Sequence, residues 1–329
     1  MKINYLYSIF LKNEVWFVEQ NTKILFRFDI GEKALKPMCF LGMVEQENCD
    51  YSQIVGYDDD IFLFPGNCKK ILKYSISENR LKIIYNCDTE FRCASVLEIN
   101  GKIVAFSSGY IERPIILDLR TGEITRINMD IIEQIRKNEF STLSVISNSG
   151  SVEYSIYGTN SILQTSMSHI ELKKIDIEND IKIKKMYLCK NRRFVLDIYG
   201  KVYEEKRPFF FDEINTGEEY IDAVLTKDGL LFIPCYGGNF IEYNYEKELI
   251  CERTINIVKR VKNRLGLVIG EELLLSPFYH DDILLVDLNK RTYNVLNPMI
   301  DRDYFKEIDI PLVVNEGCYD LESFINRLI

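Results

Sequence analysis

Histidine occurs twice in this 329-residue chain and tryptophan once, while glycine (17) and proline (8) are sparse. Two imidazoles leave little room for histidine-based metal cages, and the few glycines and prolines argue for short loops rather than disordered linkers. No apolar run approaches the roughly 18 residues of a membrane-spanning helix, so no membrane partner is expected. The nine cysteines fall singly between Cys39 and Cys318, with no Cys-x-x-Cys pair. They read as small core residues of a reducing compartment, not as a metal cluster or disulfide framework. Met1 to Phe10 lacks a cleavage-type signal, so the cytoplasm is the expected location. Gly237-Gly238 is not followed by the Lys-Ser/Thr of a phosphate loop, and neither Gly-x-Ser-x-Gly nor His-Glu-x-x-His occurs. No cofactor and no bound metal are therefore predicted. The net charge of −9 opposes a nucleic-acid partner, because such binding draws on cationic side chains.

What the chain does have is a repeat. Apolar runs lead through a short loop to a second extended run that closes on a small polar residue. Copies run from Val15-Trp16-Phe17-Val18 to Asp29, from Ile61-Phe62-Leu63-Phe64 to Ser75, and from Ile103-Val104-Ala105-Phe106 to Asp118. Others run from Ser161-Ile162-Leu163 to Asp176, from Leu230-Leu231-Phe232-Ile233 to Asn244, and from Leu273-Leu274-Leu275 to Asp287; a weaker one ends at Asp212. The mean spacing of the anchors is about 43 residues, in the range of a four-stranded propeller blade. The interval before Asp176 is long and the next two are short. The pattern predicts an all-β fold, a seven-bladed β-propeller of four-stranded antiparallel blades.

Asp58-Asp59-Asp60, Ser77-Glu78-Asn79 and Arg120-Thr121-Gly122-Glu123 read as hairpin turns. Two stretches leave the repeat. Residues 129–138 have helical spacing, and Leu321, Phe324, Ile325 and Leu328 form one stripe of a C-terminal helix. The expected organisation is a single ring over residues 1–300, with a closing segment and helix over 301–329. Ring closure requires Ile3–Phe10 or Pro311–Val314 to pair across the join, with the first and last strands in the same or adjacent blades.

In such a ring the loops between second and third strands share one face. Here they are assigned to residues 19–22, 65–68, 107–110, 166–169, 234–239 and 277–282. Their hydrogen-bonding and aromatic side chains are the candidate ligand contacts: Gln20, Asn21, Asn67, Ser108, Tyr110, His169, Tyr236, Asn239, Tyr279 and His280. Both histidines fall in these loops, so an enzyme using His280 with Asp281 or Asp282 is the alternative.

The stretches Val15-Trp16-Phe17-Val18…Phe28-Asp29 and Leu231-Phe232-Ile233-Pro234…Tyr243-Asn244 resemble the blade repeat of streptogramin-lyase-like bacterial propellers. The resemblance implies the fold over most of residues 3–296. Lyases of that group rely on a histidine pair in neighbouring blades; His169 and His280 are more than two repeats apart, so no catalytic residue is carried over. The expected function is a non-catalytic scaffold that binds a protein, peptide or small ligand through the loop face. A lyase or carbohydrate-active enzyme, and a structural subunit of a larger assembly docked by its C-terminal helix, are the other readings.

Overall fold

The computed structural model describes residues 5–20, 22–43, 50–107, 114–126, 142–148, 151–166, 169–174, 181–205, 218–257, 263–277, 283–296 and 299–300. Strands and their hairpins account for nearly all of them; the one helical turn among the described residues is Leu41–Met43. The helices expected at 129–138 and at the C-terminus lie outside the described residues, as do anchors Asp176 and Asp212.

The strands form successive antiparallel meanders. Sheet 1 holds β1 (Tyr5–Leu11), β2 (Glu14–Glu19), β3 (Ile24–Asp29) and β4 (Ala34–Phe40), and sheet 2 holds β5 (Tyr51–Tyr57), β6 (Asp60–Pro65), β7 (Cys68–Ser75) and β8 (Arg80–Phe91). Sheet 3 holds β9 (Cys93–Ile99), β10 (Lys102–Ser107), β11 (Ile115–Asp118) and β12 (Ile124–Arg126). Sheet 4 holds β13 (Thr142–Asn148), β14 (Ser151–Ile156), β15 (Ser161–Ser166) and β16 (His169–Lys174). Sheet 5 holds β17 (Ile183–Cys189), β18 (Arg192–Asp197) and β19 (Val202–Glu204). Sheet 6 holds β20 (Tyr220–Leu225), β21 (Gly229–Pro234), β22 (Asn239–Asn244) and β23 (Leu249–Thr254). Sheet 7 holds β24 (Asn263–Ile269), β25 (Glu272–Pro277), β26 (Ile283–Asp287) and β27 (Thr292–Leu296). Six sheets thus carry the full four-stranded antiparallel set, and sheet 5 has three strands among the described residues. This corrects the expectation of seven four-stranded blades.

The polar anchors have a local cause. Asp118 Oδ1 accepts the amides of Arg120 and Thr121, Asn244 Oδ1 those of Glu246 and Lys247, and Asp287 Oδ1 those of Asn289 and Lys290. A short acceptor side chain that caps its own hairpin is what the third strand needs at its end. In sheets 4 and 5 that strand ends at Ser166 and Glu204 instead. In sheet 4 the expected anchor Asp176 therefore lies one strand too far along, beyond β16.

The chain divides into two compact units, Met1–Cys93 with Leu296–Ile329, and Ala94–Val295. In the first, β1 lies against β5. Trp16, Val18, Leu25, Ile54, Leu63 and Tyr74 fill a buried cluster there, with the Trp16 and Tyr74 rings 6.0 Å apart. A final strand, β28 (Met299–Ile300), runs parallel along the outer edge of β4. The first and last described strands therefore share a sheet, as expected; Pro311–Val314, the other segment proposed for closure, lies outside the described residues. Burial pushes the Cys39 thiol pKa up to about 12, in keeping with an inert core cysteine. Cys68 departs from that expectation: it is disulfide-bonded.

In the second unit the innermost strands follow one another side by side, β13 against β17, β17 against β20, and β20 against β24. Phe194, Leu230, Phe232 and Tyr243 form one buried cluster, and Leu231, Ile233, Phe240, Leu273 and Leu275 another. Charged side chains join the sheets as well. Arg193 of β18 pairs with Glu153 of β14. Arg253 of β23 pairs with Glu242 in its own sheet and, beyond that sheet, donates to the Leu288 carbonyl at 2.9 Å.

Candidate functional site

Among the described pairings, six of the seven innermost strands have a register break near their start. The pairing skips a residue at Ser52, Leu143, Lys184, Ile221 and Arg264, and is irregular between Tyr5 and Ser8. Such a bulge re-aims side chains at the end of a sheet. It sits opposite the close of the second strand, so it borders the second-to-third loop of the same sheet.

Those loops are stitched to the strand starts beside them. In the first unit, Gly66 N donates to the Asp50 carbonyl at 2.5 Å, Asn67 Oδ1 accepts from Asp50 N, and Lys23 pairs with Asp50. Ser52, the bulge residue, donates to the Cys93 carbonyl at 2.5 Å. Gln20 is buried, and its Nε2 donates to the Tyr51 carbonyl at 2.9 Å. Gln20 and Asn67 are therefore spent on holding the loops against the next strand.

The second unit repeats the stitching with a different display. Gly158 N donates to the Ile183 carbonyl and Ile183 N to the Thr159 carbonyl, both at 2.8 Å. Ile198 N reaches the Lys182 carbonyl at 2.9 Å, and Tyr220 N the Gly200 carbonyl at 2.8 Å. Cys235 N donates to Glu219 O at 2.6 Å, and Ile255 N to Gly238 O at 2.8 Å. On top of these pinned turns stand Tyr157, Tyr199 and Tyr236, exposed by 42%, 60% and 48%. Each is followed by a glycine in the left-handed region: Gly158 (φ 74), Gly200 (φ 82) and Gly237 (φ 73). Gly200 is doubly required, since a Cβ there would lie 2.9 Å from the Tyr220 nitrogen. Three consecutive sheets thus present the same tyrosine-on-glycine tip at the same end.

Charge is built into this end too. Lys185 Nζ lies 2.9 Å from Asp222 Oδ1, which also accepts from Tyr187 Oη at 2.8 Å and Ala223 N at 2.9 Å. Its neighbour Lys184, the bulge residue of β17, makes no hydrogen bond or ion pair among the described residues. Burial first, then the Lys185 ammonium, lowers the pKa of Lys184 against the attraction of Asp222, Cys235 and Asp197. Desolvation likewise raises the carboxyl of Asp197, although it accepts the Tyr199 and Lys201 amides at 2.9 and 2.7 Å.

The predicted contacts divide as follows. Tyr236 is at an exposed loop tip, while Asn239 has already entered β22 and donates to Glu218 at 2.9 Å. His169 is misplaced in the prediction: it opens β16, opposite Ser166 in the third-to-fourth hairpin, at the other end of sheet 4. Asn21, Ser108, Tyr110, Tyr279 and His280, with Asp281 and Asp282, lie outside the described residues. Tyr157 and Tyr199 went unnoticed, although the Tyr-Gly dipeptide at 157–158, 199–200 and 236–237 is visible in the sequence. Among the described residues no group of three or more His, Cys, Asp or Glu side chains is placed to hold a metal ion.

Sheets of this kind, meandering outward from side-by-side inner strands, recur in known structures. A streptogramin B lyase superposes with a TM-score of 0.60 at 12% identity, covering 84% of this chain and 92% of that one. The fold is a β-propeller. Virginiamycin B lyase from Staphylococcus aureus matches this propeller with a TM-score of 0.58 at 12% identity, over 78% of this chain and 87% of its own. YCF48 from Cyanidioschyzon merolae does so with 0.63 at 10% identity, over 85% and 95%. No family model and no curated protein matches the sequence. At such identities the likeness establishes the propeller alone, and it agrees with the streptogramin-lyase-like blade pattern read from the sequence.

Proposed function

We propose that this propeller is a non-catalytic binding scaffold that recognises a protein, peptide or small ligand through the loop end of blades 4 to 6. The observation that carries the reading is the row of exposed tyrosines on backbone-pinned glycine turns. A tyrosine offers a large flat face and a hydroxyl at low cost in side-chain entropy, so aromatic tips on rigid supports suit recognition. The pinned loops support it further, because a tip held in place loses little freedom on binding. The tyrosines are not needed to complete the blade cores, which Phe194, Phe232 and Tyr243 already fill.

The test is site-specific photocrosslinking in cells of the protein's own source. A photoreactive residue at Tyr157, Tyr199 or Tyr236 is expected to give discrete adducts. The same residue at Glu246, in a third-to-fourth hairpin at the opposite end of blade 6, is expected to give none. Adducts from Glu246 with none from the three tyrosines would refute the assignment.

A further inference from the structure

We propose that the tyrosine row and the lysines interleaved with it hold an extended acidic peptide. This deepens the loop-end reading above and rests on it. Four lysines converge on blade 5 at that end. Lys182 and Lys184 flank the first residue of β17, Lys185 follows, and Lys201 closes the turn that carries Tyr199. The hydrogen bond from Ile198 N to the Lys182 carbonyl fixes that turn beside the start of β17. Lys182 and Lys201 are exposed. The carboxylates that attract Lys184 are already engaged, Asp222 by Lys185, Tyr187 and Ala223, and Asp197 by the Tyr199 and Lys201 amides. Among the described residues Lys184 is thus a half-buried cation with no ion-pair partner of its own, and a carboxylate arriving from solvent would supply one. Lys184 is also electrostatically close to Cys235, the residue before Tyr236, which links the lysine group to the next tyrosine tip.

Charge matching selects the occupant. The chain as a whole carries −9, so a local lysine group stands out against a repelling background. Asp197, Asp222 and exposed Glu219 are interspersed with the lysines, which penalises a polyphosphate carrying a charge at every unit. Carboxylates spaced along a peptide can alternate with those acids, while its backbone and apolar groups lie across the tyrosine faces, as in aromatic-lined peptide grooves.

The experiment is fluorescence anisotropy on the full chain with a fluorescein-labelled Glu-Pro repeat peptide, an oligouridylate and a Lys-Pro repeat peptide. The Glu-Pro peptide is expected to bind in preference to both others. Tyr199→Ala and Lys184→Met should each weaken it at least tenfold, and Glu246→Ala should leave it unchanged. Should Lys184→Met fail to fold, the double variant Lys182→Met with Lys201→Met, on exposed side chains, must give the same loss. No binding of the Glu-Pro peptide, equal binding by the variants, or tighter binding of oligouridylate overturns the proposal. If the peptide fails while the tyrosine positions still crosslink, only the acidic-peptide inference falls. If crosslinking fails as well, the loop-end reading goes with it.

Discussion

The two units of this propeller make the same joint between neighbouring blades from different chemistry. In the first, blades 1 and 2 meet through Trp16, Leu25, Ile54, Leu63 and Tyr74, and the loop polar groups Gln20 and Asn67 turn inward to tie strands together. In the second, the joints add the buried Arg193–Glu153 pair and the hydrogen bond from Arg253 to the Leu288 carbonyl, and the loops turn tyrosines outward. Position within the repeat is equivalent, yet one set of loops is consumed by the scaffold and the other is displayed. A polar residue in a propeller loop is therefore weak evidence of a ligand contact, because neighbouring strand starts compete for it.

The sharpest way to break the contrast is in the apolar joint. Trp16→Ala empties the centre of a buried cluster and is expected to cost about 3–5 kcal/mol, read as a lower denaturant midpoint. Close behind comes Arg193→Ala, which leaves Glu153 buried without its cation and should cost about 3–4 kcal/mol. The double change Arg193→Met with Glu153→Leu should recover most of that loss; failure to recover would mean that the pair does more than neutralise itself. Gln20→Ala should cost about 1–2 kcal/mol, because the Tyr51 carbonyl loses its donor, without altering crosslinking at the tyrosine tips. Tyr199→Ala should do the reverse, changing stability by less than about 0.5 kcal/mol while weakening the Glu-Pro peptide at least tenfold.

The smallest effect is one of pH, and it carries opposite signs in two capping aspartates. At Asp118 the amide of Thr121 is the largest influence and holds the folded pKa below its ordinary value. Its contribution to stability is complete above the unfolded value near about 3.9 and is lost as pH falls through the folded pKa. At Asp197 burial dominates and raises the folded pKa, so the folded state holds its proton more tightly than the unfolded chain. Stability from that group falls as pH rises through the folded value and is regained on acidification. Melting curves of Asp118→Asn and Asp197→Asn between neutrality and the carboxylate range should therefore diverge from wild type in opposite directions.

Much of the architecture could be read beforehand because alternation and hairpin caps are local. Asp29, Asp118, Asn244 and Asp287 end third strands for a chemical reason that the sequence displays. The repeat was misread where that reason is missing: Ser166 and Glu204 end their strands without the acid-and-turn signature, so blade 4 was shifted by one strand and His169 was put at the wrong end. The bulges at the inner-strand starts left no trace, since inserting one residue into a pairing register alters neither composition nor period. The inward turn of Gln20 and Asn67 was equally hidden, because it depends on carbonyls and amides some 17 to 31 positions away. The tyrosine row was in plain view as a dipeptide but carried no polar or titratable label.

The two-residue strand β28 gives the molecule a built-in order of completion. Blade 1 is the first to be synthesised, yet Ala34 and Leu35 on the outer edge of β4 wait for Met299 and Ile300 to pair with them. At the ~5–20 residues per second of translation, that interval lasts on the order of ten seconds to a minute. During it, a nascent chain exposes the β4 backbone at Ala34 and Leu35, which β28 later pairs with.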